Sequence, residues 1–243
     1  MSFLKNISGW LVTLLVPVVM VLFGVGVLLS PVYIHVEYRL PYFPDDPYGF
    51  TLEERLHWAG LSIDYLLNRE GLEFLADLQF PAGQLAAGSC EDYLAPRDCS
   101  YLYNDRELSH MLDVKIVVRY ATYVFFSSLL ILLVLGVWAR QSNWWSNYQW
   151  ALGRGGWLTV GLITALMVYL VINFNALFIT FHEIFFKSGT WVFRFSDSLI
   201  RLFPVTFWRD AFIWVGGIAF VGGVLLGYFL GYKNRSIGYK ASE

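Results

Sequence analysis

Four long segments without a charged residue or a histidine constrain the fold of this chain more than any other feature. They cover residues 6–34, 120–139, 155–181 and 211–232. Each reaches the roughly 20 residues that a helix needs to cross about 30 Å of hydrocarbon. Inside a bilayer the backbone must satisfy its own hydrogen bonds, so each such segment must be a helix. Only 15% of the residues are charged, against about 25% in an ordinary soluble domain.

The sequence therefore predicts an all-α, polytopic membrane protein, a four-transmembrane-helix bundle with a helical extracytoplasmic cap. We expect a single membrane domain over 1–243, with spans at about 9–34, 116–139, 156–181 and 210–232. An extracytoplasmic insertion covers 35–114, and an interfacial segment covers 182–209. Within the insertion, Thr51 and Glu54 have the spacing of a capping box. Apolar residues at helical spacing follow, and they predict an amphipathic helix over 51–68.

The distribution of basic residues favours a cytoplasmic location for both termini. One face collects six basic residues against a single acid, Glu243: Lys5, Arg140, Arg154, Lys233, Arg235 and Lys240. The other face carries the long acidic segment 35–113, which counts little in the positive-inside rule. That face also carries four basic residues between 182 and 209, which reduce the difference in positive charge between the two faces.

The two cysteines, Cys90 and Cys99, lie within the long insertion with eight residues between them. In an oxidising compartment such a pair forms a small disulfide loop. Two free cytosolic thiols are the alternative if the topology is reversed. We expect no metal site at this pair, because neither cysteine belongs to a C-x-x-C motif or has a histidine nearby.

Two histidines, His110 and His182, lie at the predicted outer ends of the second and third spans. A histidine titrates near neutrality, so it is the usual residue for moving protons in catalysis. On a helix Asp113 follows His110 at i+3 and can orient its ring. Asn175 precedes His182 on the same helix, where an amide facing lipid would be costly. Simple placement among lipid headgroups is the alternative for both histidines.

The segment after His182 mixes aromatic and basic residues, which is typical of an element at the lipid surface. Its basic residues, which include Arg194 and Arg201, can bind anionic lipid headgroups. Simple interfacial anchoring is the alternative. In the fourth span, Gly223, Gly227 and Gly231 form a small-residue stripe that lets helices approach closely.

Four motifs in this order resemble a family of small four-helix bacterial membrane proteins that includes the lipoprotein intramolecular transacylase. The motifs are Glu107-Leu-Ser-His-Met-x-Asp-Val-Lys115, Phe181-His-x-Ile-Phe-Phe186, Thr190-Trp-x-Phe193 and Leu199-Ile-x-Leu-Phe-Pro-x-x-Phe-Trp208. The resemblance covers nearly the whole chain. The insertion around the two cysteines is longer than the resemblance leads us to expect for the transacylase itself, which leaves the substrate open.

The resemblance implies an enzyme of the bacterial plasma membrane that acts on a diacylated lipoprotein N-terminus at the outer leaflet. An acyl chain moves from the sn-2 ester of diacylglyceryl-cysteine to the cysteine α-amine, without a cofactor. His182 is assigned as the base, and His110, oriented by Asp113, as its acid or electrostatic partner, with the reverse assignment left open. Asn175 and Glu183 are supporting residues, and Trp191, Arg194 and Arg201 are expected to bind substrate or membrane phospholipid.

Two other functions remain open from the sequence. A zinc-dependent hydrolase could use His110, His182 and either Asp113 or Glu183, although no H-E-x-x-H motif is present. A non-enzymatic sensor or subunit could bind a partner through the acidic insertion. The net charge of −2 gives no reason to expect nucleic acid. A transporter is disfavoured because the spans contain almost no charged residue near the midplane.

Overall fold

The computed structural model describes the backbone of residues 2–240 and the side chains of residues 3–231. Four of the charged residues that favour cytoplasmic termini lie outside this description: the side chains of Lys233, Arg235 and Lys240, and all of Glu243. The described residues form eight α-helices and one 3-10 turn, Cys90–Asp92: α1 Ser2–Leu28, α2 Pro31–Glu37, α3 Leu52–Leu67, α4 Glu73–Ala76, α5 Asp105–Gln141, α6 Trp145–Phe185, α7 Ser198–Leu202 and α8 Val205–Lys240.

Four of these helices are long and apolar enough to cross a membrane, and they confirm the predicted fold class. The helical ranges that meet this condition are Phe3–Leu28, Asp105–Gln141, Trp145–Phe185 and Val205–Gly231. The helix ends differ from the limits of the predicted spans at several places, and two of these differences have a clear local cause. The first helix ends at Leu28, because Pro31 lacks a backbone N–H and begins α2 as its first residue. The helix α5 begins at Asp105 rather than near 116, because its first turns are polar but still helical.

The chain divides into two compact units, each built from separated stretches of sequence. The first unit contains the described parts of 1–27, 121–173 and 212–243. The second unit contains 28–120 and 174–211. Within α6 the backbone leaves the helical conformation at Asn173, where φ is −156° and ψ is 82°. This interruption coincides with the boundary between the two units.

In the first unit, glycines let α6 and α8 approach until their backbones touch. A Cβ atom added at Gly156 would lie 2.5 Å from the carbonyl oxygen of Gly223 and 2.7 Å from the backbone nitrogen of Gly227. A Cβ at Gly153 would lie 2.7 Å from the backbone nitrogen of Gly231. The stripe predicted in the fourth span therefore packs closely on a neighbouring helix, as small residues do in membranes.

The second unit has its own hydrophobic core, which contains the fully buried side chains of Tyr65, Leu75 and Tyr103. The predicted capping box at the start of α3 is confirmed. The Thr51 hydroxyl accepts from the backbone N–H of Glu54 (3.2 Å), and the Glu54 carboxylate accepts from the backbone N–H of Thr51 (2.8 Å). These reciprocal bonds satisfy two donors that a helix start otherwise leaves unpaired.

The insertion loop after α4 is held by covalent and polar contacts rather than by regular structure. The predicted disulfide between Cys90 and Cys99 is present. The guanidinium of Arg97 pairs with Asp105 at 3.1 Å and also donates to the carbonyl oxygen of Tyr103. These contacts connect the disulfide loop to the first turn of α5. The next turn of the same helix carries His110.

Candidate active site

The structure brings His110 and His182 together within the second unit. His110 lies in the second turn of α5, and His182 lies in the last turn of α6. Their ring centroids are 6.3 Å apart, and the ring planes differ by only 22°. Both side chains are buried, with 7% and 6% of their surface exposed. At this separation one small reacting group can reach a nitrogen of each ring by a hydrogen bond of about 3 Å.

Aromatic side chains surround the histidine pair, and we call Phe178, Phe186, Trp191 and Phe193 the aromatic wall. Phe186 and Phe193 lie against His110, with centroid distances of 4.9 and 5.3 Å. Phe178 and Trp191 lie against His182, at 4.1 and 4.7 Å. Phe186 also reaches His182 at 5.6 Å, so one ring contacts both histidines. The pair is thus shielded from bulk water by apolar groups.

Hydrogen bonding determines which nitrogen of His182 is free. Its Nδ1 lies 2.8 Å from the backbone carbonyl oxygen of Phe178. A carbonyl oxygen only accepts, so Nδ1 of the neutral ring must carry the proton. The other nitrogen, Nε2, then keeps its lone pair and can accept a proton. This is the arrangement that a general base requires.

Two polar atoms around the histidine pair have no partner. Nδ1 of His110 and Nε1 of Trp191 are both buried, and no described residue within 3–231 gives either of them a hydrogen bond. Leaving a polar group buried and unpaired costs about 1–3 kcal/mol. Native proteins keep few such groups, and each one needs an explanation. A bound substrate that forms hydrogen bonds with these two nitrogens would account for both atoms.

The predicted supporting residues do not bond to the histidines. Asp113 is half-buried, and no hydrogen bond or ion pair within residues 3–231 joins it to His110. The i, i+3 spacing places both side chains on adjacent positions, but the ring of His110 is directed towards His182 and the wall. Asn175 and Glu183 are exposed, although Asn175 was expected to avoid lipid. Supporting roles for these three residues remain predictions.

The two arginines expected to bind substrate or lipid are both paired with acids, and Arg201 is also buried. Its side chain is 4% exposed and donates from Nη2 to the Asp46 carboxylate at 2.8 Å. Its guanidinium also lies 3.6 Å from the ring centroid of Phe50. A cation buried in this way is not available to a headgroup. Arg194 is exposed and pairs with Asp92 at 2.8 Å.

Burial and hydrogen bonding act in opposite directions on Asp46. Burial alone would raise the pKa of this carboxyl. The hydrogen bonds from Arg201 and from the backbone N–H of Phe50 outweigh burial and hold the pKa of Asp46 below its ordinary value. Asp46 is therefore kept as an anion, and it stabilises the second unit through Arg201.

Sequence reasoning missed Glu107, which is fully buried one turn before His110. Its carboxylate accepts from the backbone N–H of Asn104 (2.8 Å), while the Asn104 side chain accepts from the backbone N–H of Glu107 (3.0 Å). The second carboxylate oxygen accepts from the backbone N–H of Leu199 at 2.6 Å. The Asn104-x-x-Glu107 spacing is that of a capping box and was visible in the sequence. The bond to Leu199 was not.

The ligand set of the zinc alternative does not assemble in the part of the chain that the structure describes. Among those residues, no group of three His, Cys, Asp or Glu side chains is close enough to hold a metal ion. The two histidines meet, but neither Asp113 nor Glu183 bonds to them.

The chain is similar to known membrane proteins over most of its length. The model of the family described as lipoprotein intramolecular transacylase Lit matches residues 9–208. An uncharacterised protein of Aquifex aeolicus is 26% identical over 223 residues, which cover 92% of this chain and 93% of that protein. The solved structure of Lit from Bacillus cereus matches with a TM-score of 0.74 at 19% identity, over 97% of this chain and all of that one. A second structure of that Lit, with one histidine replaced by arginine, matches with a TM-score of 0.70 at 18% identity, over 99% and 96% of the two chains.

Proposed function

The chain belongs to the lipoprotein intramolecular transacylase Lit family, and we propose that it moves an acyl chain within a diacylated lipoprotein. The chain would pass from the sn-2 ester of diacylglyceryl-cysteine to the α-amine of the same cysteine, giving a lyso-form lipoprotein. The observation that carries this proposal is the buried pair of histidine rings, 6.3 Å apart, behind the aromatic wall.

The reaction breaks one bond and forms one. The neutral α-amine attacks the ester carbonyl carbon, and a C–N bond forms as the carbonyl oxygen becomes an oxyanion. The intermediate then collapses, the C–O bond to the glyceryl group breaks, and the glyceryl oxygen leaves with a proton. The nitrogen has lost a proton, so the overall exchange needs one group to accept a proton and one to donate it.

The hydrogen bond at His182 supports its assignment as the base. With Nδ1 donating to Phe178, the lone pair of Nε2 can take the proton of the attacking amine. That proton then passes to the leaving glyceryl oxygen, with the neighbouring ring of His110 as the partner of His182 in the transfer, so both histidines end the reaction in the protonation state in which they began. The unpaired N–H of Trp191 is a donor for the oxyanion, because such donors stabilise charge that develops only in the transition state.

The environment of the pair suits an acyl shift better than hydrolysis. An amide is more stable than an ester, so the shift is downhill and needs neither ATP nor a cofactor. The aromatic wall keeps water from the reacting carbonyl, where it would otherwise compete with the amine. The ester that gives up the acyl group and the amine that accepts it belong to one substrate, and holding them together replaces a bimolecular encounter.

The proposed substrate fixes the orientation of the protein in the plasma membrane. Mature lipoprotein N-termini lie at the outer leaflet, so the histidine pair would face outwards and both termini would lie in the cytoplasm. The disulfide fits this orientation, because disulfides persist outside the reducing cytosol. Membrane phospholipid would surround the four apolar helices.

Mass spectrometry of lipoprotein N-termini tests the proposal. The chain is expressed in a bacterium whose lipoproteins carry diacylglyceryl-cysteine with a free amine. We expect one acyl chain to move to the amine, and we expect His110→Ala and His182→Ala each to abolish the shift. The matched controls are His35→Ala and His57→Ala, because both of those histidines are exposed.

Two results would contradict the proposal. Unchanged lipopeptides, with the protein inserted and folded, would show that the chain acts on another substrate. Full activity of either site variant, at normal protein levels, would show that the histidine pair does not carry the reaction.

A further inference from the structure

Half of the aromatic wall belongs to a segment that has no helix of its own. Trp191 and Phe193 lie between the end of α6 at Phe185 and the start of α7 at Ser198. The segment begins with a turn in which Gly189 has a φ of +83°, a conformation that side chains disfavour. Its position therefore depends on contacts with other parts of the chain.

The far end of this segment is fastened to the disulfide loop. Arg194 donates from its backbone N–H to the Asp197 carboxylate at 2.8 Å and from its guanidinium to Asp92 at 2.8 Å. Asp92 is the last residue of the 3-10 turn Cys90–Asp92, whose first residue forms the disulfide. The contact to Arg194 thus joins the disulfide loop to a residue next to Phe193.

The start of α5 completes the connection. The guanidinium of Arg106 lies 3.4 Å from the carboxylates of both Asp92 and Asp197. The side-chain amide of Asn104 donates to Asp197 at 3.4 Å. We call Asp92, Arg106, Arg194 and Asp197 the clasp. It joins three stretches of the chain at the edge of the histidine pair.

We propose that Asp92 and Arg194 are positioning residues for the histidine site, and that the Cys90–Cys99 disulfide makes the activity of that site dependent on redox state. This inference rests on the proposed transacylase function. The side chain of Arg194 is 54% exposed and that of Arg106 is 46% exposed. Exposed ion pairs are individually weak. The pairs of the clasp can therefore form only if the disulfide loop already holds Asp92 near Arg194 and Arg106.

The disulfide supplies that placement. It restricts the loop between residues 90 and 99 before the ion pairs form, because a cross-link lowers the conformational freedom of the chain it closes. Reduction by a dithiol such as dithiothreitol gives two thiols, and the reductant becomes a cyclic disulfide. Asp92 is then less constrained, and Trp191 and Phe193 lose part of what holds them against the histidine rings.

Kinetics of the full-length protein in lipid vesicles, with a diacylated lipopeptide as substrate, test the effect on the site. We expect reduction, Cys90→Ser with Cys99→Ser, and Asp92→Asn each to lower kcat about fivefold, with a smaller change in KM. The double cysteine variant should no longer respond to reductant, because the chain contains no other cysteine. Glu91→Gln is the matched control, since Glu91 is the exposed neighbour of Asp92.

A double-mutant cycle tests whether Asp92 and Arg194 act as one unit. If the pair is what positions the wall, Asp92→Asn with Arg194→Gln should lower kcat no further than either single change. Additive losses, or single variants with unchanged kcat, would overturn the role of the pair.

Hydrogen exchange measures the position of the segment without relying on activity. We expect reduction to accelerate exchange of the backbone N–H groups of Arg194 and Leu199, while the helix Leu52–Leu67 keeps its protection. Unchanged exchange after complete reduction would overturn the inference. If the oxidised protein has no transacylase activity, the proposed function fails, and the exchange result alone decides whether the disulfide holds the segment.

Discussion

Replacing Arg201 with Ala should destabilise the second unit severely, because it would leave a buried carboxylate without its counter-charge. The side chains of Arg201 and Asp46 are 4% and 0% exposed. The guanidinium approaches the carboxylate with Nη2 at 2.8 Å and Nε at 3.2 and 3.3 Å from its two oxygens. It also lies 3.6 Å from the centroid of the Phe50 ring.

The expected loss follows from what remains after the substitution. Asp46 would keep the backbone N–H of Phe50, at 2.7 Å, as its donor. Breaking a buried pair by removing one partner costs about 3–5 kcal/mol. In a chain of this size each kcal/mol shifts the melting temperature by about 2–4 °C. We therefore expect the melting temperature to fall by about 10 °C.

Thermal unfolding in detergent, followed by tryptophan fluorescence, measures this loss. The matched control is Arg194→Ala, because the side chain of Arg194 is 54% exposed and its pair with Asp92 should contribute less than about 1 kcal/mol to stability. Equal melting temperatures for the two variants would refute the reasoning. A normal melting temperature for Arg201→Ala with weaker binding to anionic vesicles would restore the lipid-binding role.

Three further predictions follow from single contacts. A carboxyl with a lowered pKa stabilises the folded state above its ordinary pKa, and this contribution disappears as the pH falls through the folded pKa. The melting temperature of the wild-type protein should therefore fall below about pH 4 more steeply than that of Asp46→Asn. Gly156→Ala should lower the melting temperature because its Cβ would lie 2.5 Å from the carbonyl oxygen of Gly223, whereas Gly161→Ala, which meets no atom within 4 Å, should not. Trp191→Phe keeps a ring but removes the N–H, and initial rates should show kcat reduced by about tenfold or more.

The features that local spacing determines were predictable from the sequence. A span requires only a long apolar run, and the four runs correspond to four helices. The capping box of Thr51 and Glu54 depends on residues three positions apart, and it is present. The disulfide joins two cysteines that are close in sequence, so loop closure favours their pairing.

The contacts that failed to follow from the sequence join residues far apart in the chain. The neighbours of Arg201 in sequence are those of an interfacial segment, which predicts a cation at the surface. Its partner Asp46 lies 155 positions earlier, and nothing local indicates that the two meet. Asp113 shows the converse, since closeness in sequence to His110 brings no bond between the two side chains among the described residues. The i, i+3 spacing to His110 suggested a contact, but tertiary packing turned the ring towards residues that come much later in the chain.

The histidine pair explains why the resemblance to a family was needed to predict the site. Each histidine alone has the sequence context of an interfacial residue, and only folding places them 6.3 Å apart. Both are held by helix ends: His110 follows the capping box of Asn104 and Glu107, and His182 bonds to the carbonyl oxygen four residues before it. Glu107 also accepts from the backbone N–H of Leu199, and this bond joins the start of α5, one turn before His110, to the start of α7. The position of His110 therefore depends on a contact with a residue 92 positions later in the chain, which no local sequence pattern indicates.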